Sequence, residues 1–201
     1  MLKTSMLGWI SRFARDRRGV SAVEFAFVAP VMIGLYLGCV EVSDGVAVDR
    51  KISLIAGALS NLTSSCSNSN ASAGGCANNI ISATEMNNIL DASSAIIQPY
   101  DANKLTMTVS CLKIDATGVA KVKWSATRNG TARATGSVYS FSNSTTALDV
   151  KNSWLLLSEV KYAYTPTVGY TITGTLTLSD KMFMSPRISA PSYPDATGPC
   201  T

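Results

Sequence analysis

Residues 17–42 read RRGVSAVEFAFVAPVMIGLYLGCVEV, and this stretch decides the fold. From Val20 to Val42 the only charged residues are Glu24 and Glu41, and Phe25 to Val40 is uncharged throughout. At about 1.5 Å of rise per residue, twenty-odd helical residues reach about 30 Å, the thickness of a bilayer core. The run therefore predicts a transmembrane helix over residues 20–42. Glu24 lies just inside it, where an ionised side chain costs about 2–3 kcal/mol or less depending on depth, so a partner or a function is expected for it. Pro30 sits in the middle, tolerable in lipid but expected to bend or loosen the helix. Gly34 and Gly38 form a small-xxx-small pair that permits close helix packing.

Working outward toward the N-terminus, residues 1–19 form a basic leader. Lys3, Arg12, Arg15, Arg17 and Arg18 against Asp16 account for the whole formal charge of +4, and the rest of the chain is balanced. A basic flank before an apolar run marks the cytoplasmic side, which places everything after the helix across the membrane. The basic pI is thus a property of the leader and gives no support to nucleic-acid binding.

Toward the C-terminus the helix is expected to continue as an amphipathic extension over residues 43–62. Val42, Val46, Ile52, Ile55, Leu59 and Leu62 recur at intervals close to three and four, with Asp44, Asp49, Arg50 and Lys51 between them. Thr63 to Asn79 reads as a polar loop. Ser82-Ala83-Thr84-Glu85 is a capping box, followed by Met86, Ile89, Leu90 and Ile97 on one face, with Pro99 closing the helix. From Leu105 the apolar period changes to two, which predicts a half-buried strand through Cys111. Further strands are expected at Val119–Thr127, Ala132–Tyr139, Trp154–Tyr164 and Tyr170–Ser179, with Asn129-Gly130 as a hairpin turn. The fold class is α+β: a long N-terminal transmembrane helix running into an extracytoplasmic domain, residues 63–201, with a meandering antiparallel sheet packed on the helix.

The chemistry available is sparse. There is no His, so the usual base for a Ser or Cys nucleophile is missing. Glu85, Asp91, Asp101, Asp115, Asp149, Glu159, Asp180 and Asp195 fall in caps, turns or exposed positions rather than in a two-carboxylate pattern. No enzyme, no cofactor and no metal is expected. Cys39 lies in the apolar run, and Cys66, Cys76, Cys111 and Cys200 lie beyond it, an even set suited to disulfides in an oxidising compartment. Three pairings are possible. Closing the short loop between Cys66 and Cys76 is sterically easy, which leaves Cys111 with Cys200.

Gly19-Val20-Ser21-Ala22-Val23-Glu24-Phe25, followed by Ala26-Phe27-Val28-Ala29-Pro30, resembles the N-terminus of TadE-like pilus assembly proteins, minor pseudopilins of the Flp (tight-adherence) branch of type IV pilus systems. Glu159 to Pro166 and Ser185-Pro186-Arg187 resemble later elements of that family more weakly. The resemblance implies a prepilin processing site: a cut between Gly19 and Val20, a glutamate at the fifth mature position and an aromatic, Phe25, at the sixth. Phe25 stands where major pilins carry tyrosine, which argues against a main subunit. The cut would remove the +4 leader and create an amine at Val20. Glu24 could then pair with that amine, its own or a neighbour's, and set the register of subunits in a filament.

The implied partners are a prepilin peptidase, the major Flp pilin, other TadE-like subunits, an inner-membrane assembly platform and the membrane itself. The implied location is the bacterial inner membrane, with the N-terminus cytoplasmic and the domain periplasmic or carried out in a pilus. Three other readings use the same residues. Gly45-Val46-Ala47 could end a secretory signal, Leu37-Gly38-Cys39 could be a lipoprotein site, and an uncleaved anchor could carry a binding or adhesin domain.

Overall fold

A computed structural model describes residues 19–65, 80–141, 148, 150–166, 174–187, 191 and 193. One helix, α1, runs without interruption from Val20 to Ser64. A second, α2, spans Ala83–Ser94 and tightens into a 3-10 turn at Ala95–Ile97. Five strands follow: β1 Leu105–Ile114, β2 Ala120–Arg128, β3 Val138–Tyr139, β4 Trp154–Tyr164 and β5 Leu176–Met184. They form one antiparallel sheet in the order β3-β2-β1-β4-β5. This is α+β, but it is not a simple meander. β1, β2 and β3 follow one another, and the chain then returns so that β4 pairs with the free side of β1.

The outer half of α1 lies on one face of the sheet. Its buried seam is Glu41, Val48, Ile52, Ile55, Ala56, Leu59, Ser60, Thr63 and Ser64. Val48, Ile52, Ile55 and Leu59 follow the four-three-four spacing of a helix face, and they join Met107, Val109, Cys111, Trp124, Leu156 and Val160 in the main core. Ile52, Ile55 and Leu59 of the expected stripe are buried. Val42, Val46 and Leu62 are not; they stay 52%, 45% and 39% exposed on the flanks. Small and polar side chains take their places because the helix meets β4 and β5 closely there. The Ser60 hydroxyl donates to Ser158 at 2.8 Å inside the core, and Ser64 donates to the Met184 sulfur. The helix also runs past the expected stop at residue 62, into Thr63 and Ser64. Arg187, just beyond β5, reaches its end: the Arg187 N–H donates to the Ser64 carbonyl and its guanidinium to Asn61 Oδ1, a cation where a helix C-terminus favours one.

α2 starts where the capping box puts it. Ser82 Oγ accepts from the Glu85 N–H, and the Glu85 carboxylate accepts from the Ser82 N–H. Met86, Leu90 and Ile97 are buried against α1. The Lys51 ammonium donates to the carbonyls of Ile96 and Gln98 at the end of that unit and lies over the Tyr100 ring. This satisfies carbonyls the 3-10 turn would otherwise leave without donors.

β1 is more buried than alternation implies, because it is a central strand covered on both faces. Its polar positions remain satisfied through a hydroxyl ladder to β2. Thr108 bonds Thr127 at 3.0 Å and Ser110 bonds Ser125 at 2.9 Å, while Thr127 and Ser125 also donate to the Met107 and Val109 carbonyls. A bulge between Cys111 and Leu112 shifts the register. Beyond it a second apolar cluster forms on the face away from α1, from Leu112, Ile114, Val122, Tyr139, Leu155 and Leu157 with Phe141 and Phe183 packed against it.

Two expected strands move. The strand expected at 132–139 shrinks to Val138–Tyr139, which pairs with Ala120 and Lys121. Asn129 does adopt the left-handed conformation of a turn, at φ 55°, and Gly130 is required next to it. A Cβ there would stand 2.6 Å from the Thr106 methyl. However, the chain then crosses the sheet face instead of zipping straight back. The last strand occupies Leu176–Met184 rather than 170–179, and residues 170–173 fall outside the described residues.

The β1–β2 turn depends on Asp115. Its carboxylate accepts from the Thr117 hydroxyl and from the Thr117 and Val119 N–H groups. The Thr117 hydroxyl bond and then the Val119 N–H hold this carboxyl down at about 2. A lowered folded-state value means the contribution is complete above the unfolded value, near pH 4, and fades as pH falls through about 2. NMR of the Thr117 and Val119 amides should therefore show this turn loosening in that window, and Asp115→Asn should remove the transition. In the core, Ile52→Ala should cost about 2–5 kcal/mol in denaturant unfolding, the range for a truncated buried Ile.

Candidate functional site

The inner half of α1 is built unlike the rest. Gly19 is its N-cap residue, with no side-chain cap bond, and Val20 begins the helix. Through this half, apolar side chains point to solvent in every direction: Phe25 is 68% exposed, Phe27 77% and Tyr36 68%, with Val31, Met32, Ile33 and Leu35 close behind. An 18-residue window averages 2.0 in mean hydropathy with none of it buried inside the chain. A helix that is apolar all round needs a nonaqueous surrounding or a partner. Its length and composition suit a single membrane pass. Pro30 lies within it without ending it, at the cost of one backbone hydrogen bond to the Ala26 carbonyl.

Val20 and Glu24 are one turn apart on the same side of the helix, both exposed, with Phe25 beside Glu24. Gly34 has open space where a Cβ would project, and Gly38 is half-buried. Cys39 is a free, exposed thiol, and its carbonyl accepts from the Ser43 hydroxyl. Cys111 is fully buried on β1 and is not a free thiol. Cys66, Cys76 and Cys200 lie outside the described residues, as does the leader before Gly19.

The change from exposed to buried happens over a single turn, at Glu41 to Gly45. Glu41 is 2% exposed and engaged in contacts. A Cβ on Gly45 would meet the Tyr164 ring at 3.8 Å. Burial beneath the helix pushes the Tyr164 phenol up, and the Asp44 carboxylate adds to the shift. The end of β4 therefore marks where α1 enters the domain.

The family comparison falls on this same region. Residues 19–50 match the family model for TadE-like proteins. The chain carries a TadE-like segment. It opens at the helix N-cap and closes two residues before Ile52, so it covers the exposed half of α1 and its entry into the domain. No curated protein and no solved structure matches the chain. The TadE-like match points to pilus assembly and indicates no catalytic family, and the helix indicates single-pass anchoring.

The carboxylates beyond the TadE-like segment mostly have structural partners. Glu85 caps α2, Asp101 accepts from the Asn103 N–H, and Asp91 pairs with Arg128. Asp149 and Asp195 lie outside the described residues. No local motif marks one further constellation: Arg133 grips Glu159 through two bonds of 2.8 and 2.7 Å. Its sequence trace is the polar outer face of two strands, Thr106 and Thr108 on β1 with Glu159 and Lys161 on β4. Arg133 joins them only through the tertiary crossing of the β2–β3 connection.

If the inner half of α1 is independent of the domain core, Gly34→Leu should leave the thermal unfolding midpoint of the domain unchanged within a degree or so. A drop of several degrees, the signature of about 1 kcal/mol in a domain of this size, would mean that this half is packed on the domain.

Proposed function

We propose that the chain is a non-catalytic, pseudopilin-like subunit for assembly of Flp/tight-adherence pili, anchored and docked through the inner half of α1. The observation that carries this is the coincidence of the TadE-like match with a helix whose apolar surface no part of the described chain covers. Such a surface can lie in lipid before assembly and against other helices after it. Gly34 and Gly38 would allow close approach to a neighbour.

In this reading a prepilin peptidase cuts between Gly19 and Val20 on the cytoplasmic face. The cut leaves a charged amine one helical turn from Glu24, and an amine–carboxylate pair offsets the cost of each charge in lipid. The pair forms within one subunit or between neighbours and sets their register. Phe25 flanks it. The other partners are the major Flp pilin, further TadE-like subunits and an inner-membrane platform, with the domain periplasmic.

Disulfides would suit that compartment. Cys111 lies opposite Trp124 across β1 and β2, and Trp124 donates to the Pro191 carbonyl and stacks on Tyr193. The C-terminal segment thus returns to the Cys111 side of the sheet, which supports Cys111–Cys200 and leaves Cys66–Cys76 for the loop. Peptide mapping of the oxidised protein should recover those two pairs.

Mass spectrometry of the protein isolated from its membrane tests the processing step: a mature terminus at Val20 is expected, and Met1 would favour an uncleaved anchor. Glu24→Ala should be cleaved yet fail to support pilus assembly; normal pili from that variant would remove Glu24 from the docking role.

A further inference from the structure

On the sheet face away from α1, at the end where β4 meets the helix entry, there is a cavity of about 380 Å³ lined by Thr106, Thr108, Thr131, Arg133, Glu159 and Lys161. The volume falls in the range of small-molecule sites, yet the lining is entirely polar or charged. The register explains how it forms. Thr106 stands opposite Lys161 and Thr108 opposite Glu159 across β1 and β4. The β2–β3 connection then lays Thr131 and Arg133 over that face. Lys181 of β5 stands opposite Glu159 on the other side. Three cations, Arg133, Lys161 and Lys181, therefore lie on the same sheet face as this one carboxylate.

The groups are held in place to different degrees. Arg133 is fixed by its two bonds to Glu159 and lies over the Tyr139 ring at 5.1 Å. That geometry uses one edge of the guanidinium and leaves the remaining N–H donors free. Thr108 is committed to the hydroxyl ladder. Among the described residues, Thr131 has no side-chain hydrogen bond, and Lys161 has neither a hydrogen bond nor an ion pair. A cation and a hydroxyl thus face a cavity beside a pre-set Arg–Glu pair.

We propose that this cavity binds an acidic saccharide, a sugar carrying a carboxylate, with Lys161 pairing the carboxylate and Thr131, Glu159 and the free edge of Arg133 taking the ring hydroxyls. Two features select this class. Lys161 with the neighbouring cations favours a negative ligand. Glu159 in the lining disfavours a compact multiply charged anion such as phosphate, because its remaining lone pairs need donors, and sugar hydroxyls supply them while a phosphate dianion does not. The site lies on the opposite side of the sheet from α1, so docking through that helix does not itself cover it. The proposal goes beyond the assembly role and does not rest on it.

The test is saturation-transfer NMR on the full chain in detergent micelles, with trigalacturonate as probe and maltotriose and inorganic phosphate as comparisons. Trigalacturonate should receive saturation, and its titration should give a Kd that weakens about tenfold in Lys161→Met, which keeps most of the stem and removes the charge. Thr131→Val should weaken it less, and both variants should keep the wild-type circular dichroism melt. Maltotriose should bind much more weakly, and phosphate should compete poorly. Absence of transfer to trigalacturonate, equal transfer to maltotriose, full competition by phosphate, or an unchanged Kd in a folded Lys161→Met variant would each overturn the proposal.

Discussion

The close contact between the outer half of α1 and the central strands is the constraint on which the rest depends. Ile52, Ile55 and Leu59 fill the space over β1 and β4, and Ser60 meets Ser158 by a buried hydroxyl bond. Without that helix the sheet would expose Met107, Val109, Leu156 and Val160 together. The sheet in turn secures the helix: Arg187 closes its C-terminal end, and Lys51 ties it to α2. Since α1 is continuous from Val20 to Ser64, whatever orients its exposed inner half also orients the whole domain. The link between the exposed half and the domain is a continuous helix rather than a loop.

That continuity gives the two halves opposite requirements. The inner half is apolar on all sides and makes few contacts within the chain, as a helix in lipid or among other helices must. The outer half has one narrow buried seam with mixed, mostly polar flanks that also carry the exposed Val42, Val46, Leu54 and Leu62. The switch occurs at Glu41–Gly45, where the helix passes Tyr164. The TadE-like match crosses this switch and stops within the outer half. The resemblance therefore concerns the anchor and its junction, and the sheet, with the polar cavity beneath Arg133, lies outside the matched residues.

Local features were legible in the sequence and long-range ones were not. The Ser82–Glu85 capping box and strand Trp154–Tyr164 sit where their own residues put them, because caps and strand composition act over a few positions. The buried seam of α1 was only half visible. Val42, Val46 and Leu62 look like core but are exposed, while Glu41, Ser60, Thr63 and Ser64 are buried. Apolar spacing cannot reveal a seam made by close approach of small polar side chains. The strand expected at 132–139 failed for a similar reason: Arg133 is drawn to Glu159, a partner distant in sequence, and the chain crosses the face before pairing. The same crossing creates the cavity, so its Thr, Arg and Lys residues carry no contiguous motif. Glu24 was visible at once because a carboxylate just inside an apolar run stands out from sequence alone.

The central claim is that one helix serves two solvents, and nitroxide scanning in lipid bilayers tests it most directly. In a Cys39→Ser background, single labels at Phe27, Val31 and Leu35 should all show high oxygen accessibility and low accessibility to a water-soluble nickel reagent. Labels at Leu54 and Arg50, on the outer half, should show the reverse. Nickel accessibility at Phe27, Val31 and Leu35 as high as at Leu54 would contradict the account.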